Sequence, residues 1–154
     1  MTAATTVPTR VIGIGSHHGA DCLGWLICDE LRGLRWTQDI DIHSCRSPAH
    51  LPQLLAGCDH AILIDAIITG QQAGRVLPLG IDELDHQAHY SYSSHGLGVL
   101  EAIELARALG QLPAALKILG ISVTDVHQDA AKVSRLALPG VQQSILEFRH
   151  SLQY

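Results

Sequence analysis

Three residues, far apart in the chain, have the types and settings that chemistry needs. Asp21 sits in "VIGIGSHHGADCLGW", just before helical spacing begins. Asp65 closes the apolar run "AILID", where a carboxylate is costly to desolvate unless it is paired, caps a helix or holds a cation. His95 follows Ser93 and Ser94 at the start of "HGLGVLEAI". Two carboxylates and one imidazole, brought from three strand-end loops, would make an oxygen–oxygen–nitrogen set. Such a set suits a divalent transition ion with positions left open.

Each residue also has a plainer reading. Asp21 can cap its helix, Asp65 can accept backbone N–H groups in a turn, and His95 can simply open a helix. Cys22, next to Asp21, fits a thiolate ligand or a small core residue of the first helical turn. His17, His18, His86 and His89 are further candidate ligands, although "DELDHQAHY" reads as a polar, exposed connection. Ser94–His95 does not make a hydrolase triad, since no GxSxG elbow accompanies it.

The elements needed to gather these residues are legible from periodicity. Strands are expected at 9–15, 36–44, 60–68, 74–80 and 114–123. The most hydrophobic of them, 60–68, is central. Helices are expected at 21–34, 47–57, 96–110 and 139–152. Ser47–Pro48 and Pro139 serve as starts, and Gly57 and Gly110 as stops. Alternation of strand and helix predicts a single-domain α/β fold over 1–154, preceded by a loose lead-in at 1–8. Its open, mainly parallel twisted sheet of about five strands has helices on both faces, a phosphorylase/hydrolase-like arrangement. Ligands of such sheets bind outside the carboxyl ends of the strands, which is where Asp21, Asp65 and His95 would lie.

Composition narrows the function. The chain has 154 residues, 47% hydrophobic and 16% charged, as a compact enzyme would. A net charge of −5 without a basic block argues against nucleic acid. No apolar run reaches the ~20 residues of a membrane helix, and the first residues lack a secretory pattern. Four cysteines, none spaced as CxxC, fit reduced thiols and a cytoplasmic setting. The glycines of "GIGSHHG" do not complete GxGxxG, because His18 holds the third position, and no GK[ST] exists for a phosphate loop. The expectation is a sharp turn that presents Asp21, not a bed of amides for phosphate.

Taken together, "VIGIGSHHGADCLGW", "AILIDAI" and "SSHGLGVLEAIELA" resemble, in order and spacing, the landmarks of the hydrogenase maturation proteases. These endopeptidases trim the C-terminus of the large subunit of nickel–iron hydrogenases. The later "LPAALKILGIS" is similar to the family's late strand. The resemblance implies Asp21, Asp65 and His95 as the catalytic and metal-contacting residues. The metal would be nickel carried by the substrate precursor, with other divalent ions able to substitute in isolation. The family's acidic pair is reduced here. A loop shortened by one residue puts Ala20 at the first acid and Asp21 at the second, whereas a gapless alignment puts Cys22 at the ligand position. The implied partner is the large-subunit precursor. The alternative is a non-proteolytic, nickel-recognising assembly partner of the same fold.

Overall fold

The computed structural model of the chain describes residues 7–15, 22–81, 95–125 and 128–152, with the backbone alone for 95–97. Five strands form one sheet in the order β2-β1-β3-β5-β4. β1 (Thr9–Ile14), β2 (Ile40–Cys45), β3 (His60–Ile68) and β5 (Ala115–Val123) run parallel, and β4 (Val76–Leu79) lies antiparallel on β5. The helices are α1 (Leu23–Arg32), α2 (Leu51–Leu55), α3 (His95–Ala108) and α4 (Ala130–Ser151), with a 3₁₀ turn at Pro48–His50 leading into α2. The expected α/β architecture is the observed one.

Alternation along the strands splits the core into two layers. Val11, Ile62, Ile64, Leu119 and Ile121 pack with residues of α1 and α4 such as Leu23, Ile27 and Val141. Ile12, Ile14, Leu63, Ile67 and Ile118 face the other way, against α2 and α3 through Leu51, Leu55, Val99 and Ile103. Both faces of a parallel sheet must be covered because its strands are apolar on both sides, and β3 reads "AILI" for that reason.

The glycines of the first motif are needed for packing. Gly13 lies within β1, paired with Ser44 and Ile64. A Cβ there would come within 2.3 Å of the Gly24 carbonyl oxygen and 2.6 Å of Cys28 Sγ. A Cβ on Gly24 would meet Ile14 O at 2.3 Å and Ile64 O at 2.8 Å. Backbone therefore touches backbone where α1 crosses β1.

Several boundaries differ from expectation, four of them for visible local reasons. α1 spans Leu23–Arg32 where 21–34 was expected; Gly33 N–H donates back to Glu30 O and Leu34 N–H to Leu31 O, ending the helix. β2 begins at Ile40 because Trp36 is used elsewhere: its Nε1 donates to Leu31 O at 3.0 Å and closes α1. The expected helix over 47–57 divides into the 3₁₀ turn and α2, since Pro52 has no N–H to continue the ladder. α4 starts nine residues before Pro139. Asp129 caps it by accepting from Ala131 N and Lys132 N, and Pro139 sits inside the helix. Among the described residues, no helix is long and apolar enough to cross a membrane.

Candidate functional site

In an open parallel sheet the ligand crevice lies where the strand order reverses. Here the chain steps from β1 to β2 on one side and places β3 on the other, so the switch point falls between the carboxyl ends of β1 and β3. Registered pairing of β1 with β3 ends at Gly13↔Ile64, and Asp65 is the next residue. The carboxylate therefore stands at the switch point, on the strand with neighbours on both sides.

Asp65 is only 7% exposed. Ile62, Ile64 and Ala66 belong to the α1/α4 layer, and Leu63 and Ile67 to the α2/α3 layer. Alternation thus sends the Asp65 side chain toward the α2/α3 side. Its Oδ1 accepts Ala66 N–H at 2.9 Å, which realises the backbone-amide role open to this residue from sequence. The residue is not the last of its strand, however. β3 continues to Ile68, and Asp65 is paired with Gly120 of β5. Holding a carboxylate there is costly without compensating contacts, so the position fits a donor to a cation or an acid–base group.

His95 opens α3. One turn later Gly98 lies against Pro48, where a Cβ would come within 3.1 Å of the proline Cγ. Pro48 follows Cys45, the last residue of β2, by three positions. The amino end of α3 is thereby held at the carboxyl rim of the sheet, on the face Asp65 points to. Asp21 lies outside the described residues, as do Ser93, Ser94, His17, His18, His86 and His89. Gly15 follows β1 and Cys22 precedes α1, both at this rim. Of the three expected residues, the described fold brings the Asp65 side chain and the His95 backbone position to one end of the sheet. No group of three His, Cys, Asp or Glu side chains gathers among the described residues.

One rim residue is not evident from sequence. Cys45 ends β2 in the row of Ile14, two strands from Asp65. Its carbonyl accepts Trp25 Nε1 at 2.9 Å and Gly15 N–H at 3.2 Å, and its thiol donates to Ser47 O at 3.0 Å. Burial pushes the thiol's pKa up, and the Asp65 carboxylate adds to the rise. Cys45 is thus a neutral thiol that ties together the ends of three elements. The signal for it was the end of β2, legible only once the register of β2 on β1 is known.

The site and sheet define a doubly wound α/β protein with a buried acid at its switch point. Residues 46–148 match the family model HycI, hydrogenase maturation protease, and the chain belongs to that family. Its fold is shared with the hydrogenase-maturating endopeptidase HybD from E. coli, at 22% identity and a TM-score of 0.72, over 91% of this chain and 93% of that one. An Escherichia coli endopeptidase solved in solution superposes at a TM-score of 0.75, 21% identity and the same coverage. The [NiFe] hydrogenase maturation protease HycI from Thermococcus kodakarensis superposes at 0.65, with 19% identity over 96% and 95% of the two chains. No curated protein sequence matches at a significant level. Asp65 and His95 fall inside the family match, and the Asp21 loop precedes it.

Proposed function

We propose that this protein is an endopeptidase that removes the C-terminal extension of a nickel-loaded nickel–iron hydrogenase large-subunit precursor. The placement of Asp65 supports this reading: a nearly buried carboxylate on the central strand, at the switch point of a maturation-protease fold. Asp21, Asp65 and His95 would contact the nickel that arrives with the substrate. Oxygen and imidazole donors suit that borderline ion, and the Ala66 N–H bond fixes the orientation of the Asp65 carboxylate. A divalent ion at the scissile bond polarises its carbonyl or lowers the pKa of a water. The chain's part is to seat that ion against the peptide and to carry a proton through an aspartate or His95. The proposal sets the reaction in the cytoplasm, with no membrane or nucleic-acid partner.

The test is incubation of the purified protein with nickel-loaded precursor, followed by intact mass. A shortened large subunit is the expected product, and nickel-free precursor should stay uncut. A stable complex without shortening would replace this reading with the non-proteolytic assembly partner.

A further inference from the structure

Beside the rim runs a groove of about 420 Å³ between α2, its leading 3₁₀ turn and α3. Pro48, Ala49 and Pro52 form one wall; Gly98, Ala102 and Leu105 form the other. Such a volume is in the range of clefts that hold a ligand-sized group. Gly98 and Leu105 are seven residues apart, so the groove extends roughly 10 Å along the helix axis, the reach of about three extended residues. Its Gly98–Pro48 end is the one nearer the rim, since Gly98 lies one turn beyond His95 and Pro48 three residues beyond Cys45.

The chemistry of the walls limits the occupant. Two prolines offer no N–H, and the small side chains of Gly98 and Ala102 leave a depression suited to an apolar side chain. Leu105 is 52% exposed and Leu109, one turn on, is 57% exposed, an apolar ridge continuing the groove away from the rim. Glu101 is the charged residue of the lining, and among the described residues it has neither a hydrogen bond nor an ion pair.

We propose that this groove seats an extended segment of the substrate precursor within about three residues of the scissile bond, an apolar side chain lying against Leu105 and Pro52 and a basic one facing Glu101. Nearness to the rim supports this placement: a peptide cleaved at Asp65 and His95 must leave the site along some surface. This groove starts one helical turn from His95, is concave, and matches an extended chain in length. The inference rests on the proposed cleavage reaction and adds a specificity subsite to it.

The test measures cleavage of nickel-loaded precursor by wild type, Leu105→Glu, Glu101→Lys and a control, Leu136→Glu. Leu136 is 57% exposed on α4 and outside the groove. Leu105→Glu should raise KM about tenfold or more with kcat within about twofold, Glu101→Lys should raise it several-fold, and Leu136→Glu should match wild type. A photoreactive benzoylphenylalanine in place of Leu105 should crosslink to precursor residues beside the cleavage site. An unchanged KM in Leu105→Glu while wild type cleaves would overturn the groove and leave the protease reading standing. A crosslink to a distant part of the precursor, to this chain's own residues or to a second copy would overturn it as well. Failure of wild type to cleave would remove the underlying reaction and the subsite together.

Discussion

Two aspartates lie on strands and point to the same face of the sheet, yet their surroundings differ. Asp41, on the edge strand β2, has a side chain 40% exposed. Arg10 Nε donates to its Oδ2 at 3.0 Å, and the same guanidinium reaches Leu54 O. His43 Nε2 lies 2.9 Å from its Oδ1. Asp65 lies two strands inward, nearly buried, oriented by the adjacent Ala66 amide. An edge carboxylate held by Arg10 and flanked by His43 has a structural explanation that is complete in itself. A carboxylate in the most apolar strand, at the point where the fold admits ligands, calls for a function. Removing the first should cost stability, and removing the second should cost chemistry.

The largest effect sharpens that contrast. Asp65→Asn keeps an oxygen for the Ala66 amide but loses the charge. Cleavage of precursor should fall about a thousandfold or more, while the thermal transition stays cooperative. If the variant cleaves at the wild-type rate, Asp65 is as structural as Asp41 and the contrast disappears.

Next, Gly24→Ala disturbs the rim without touching either carboxylate. Its Cβ has no room between Ile14 and Ile64, the residues flanking the switch point, so stability should drop by about 3 kcal/mol, at the upper end of overpacking costs. Chemical denaturation measures it; a loss under 0.5 kcal/mol would mean that α1 does not sit so closely on β1.

A smaller effect separates the aspartates by pH. Burial alone would raise the Asp41 pKa, but His43 and Arg10 outweigh it and hold the carboxyl below its ordinary 3.8. The folded state thus releases this proton more readily than the unfolded chain. The resulting stability is present above about pH 4 and is lost as pH falls through the lowered value. Asp41→Asn should be slightly less stable than wild type at neutral pH, with the gap closing below pH 4 and cleavage unaffected. Partial exposure keeps the effect small. A gap that persists at pH 2.5 would point to lost packing instead of lost charge.

The smallest effect links the site to its neighbour. Since the Asp65 charge helps keep the Cys45 thiol protonated, Asp65→Asn should speed alkylation of Cys45 a few-fold at pH 8. Mass spectrometry of iodoacetamide-treated protein reads this. An unchanged rate would place Asp65 too far from Cys45 to matter.

Much of this was open to sequence reasoning, and the gaps have physical causes. β3 was legible to the residue because Ile62, Leu63 and Ile64 run together, with Ile67 and Ile68 beyond, and Asp65 stood out as the one acid among them. Its position inside the strand was hidden, because register with β5 is a long-range property. α4 was read as starting at Pro139, a favoured first residue. The apolar series Ala130, Val133, Ala137 and Val141 belongs to the same helix, and Asp129 caps it. Trp36 looked like a strand residue because its indole bond to Leu31 is tertiary. Cys45 meets Trp25, 20 positions away, and the groove joins Pro48 to Leu105 from elements far apart in the chain; no local pattern announces such meetings. Asp21 and the His95 side chain belong to the reading through motif and family alone, and lie outside the described residues and side chains.

The central claim is that the Asp65 carboxylate takes part in cutting the precursor. Its most direct measurement is the intact mass of nickel-loaded large subunit after incubation with wild-type protein and with Asp65→Asn, both verified as folded. The account predicts the mass of the shortened subunit with the first and the full-length mass with the second. Equal shortening by both proteins would contradict it.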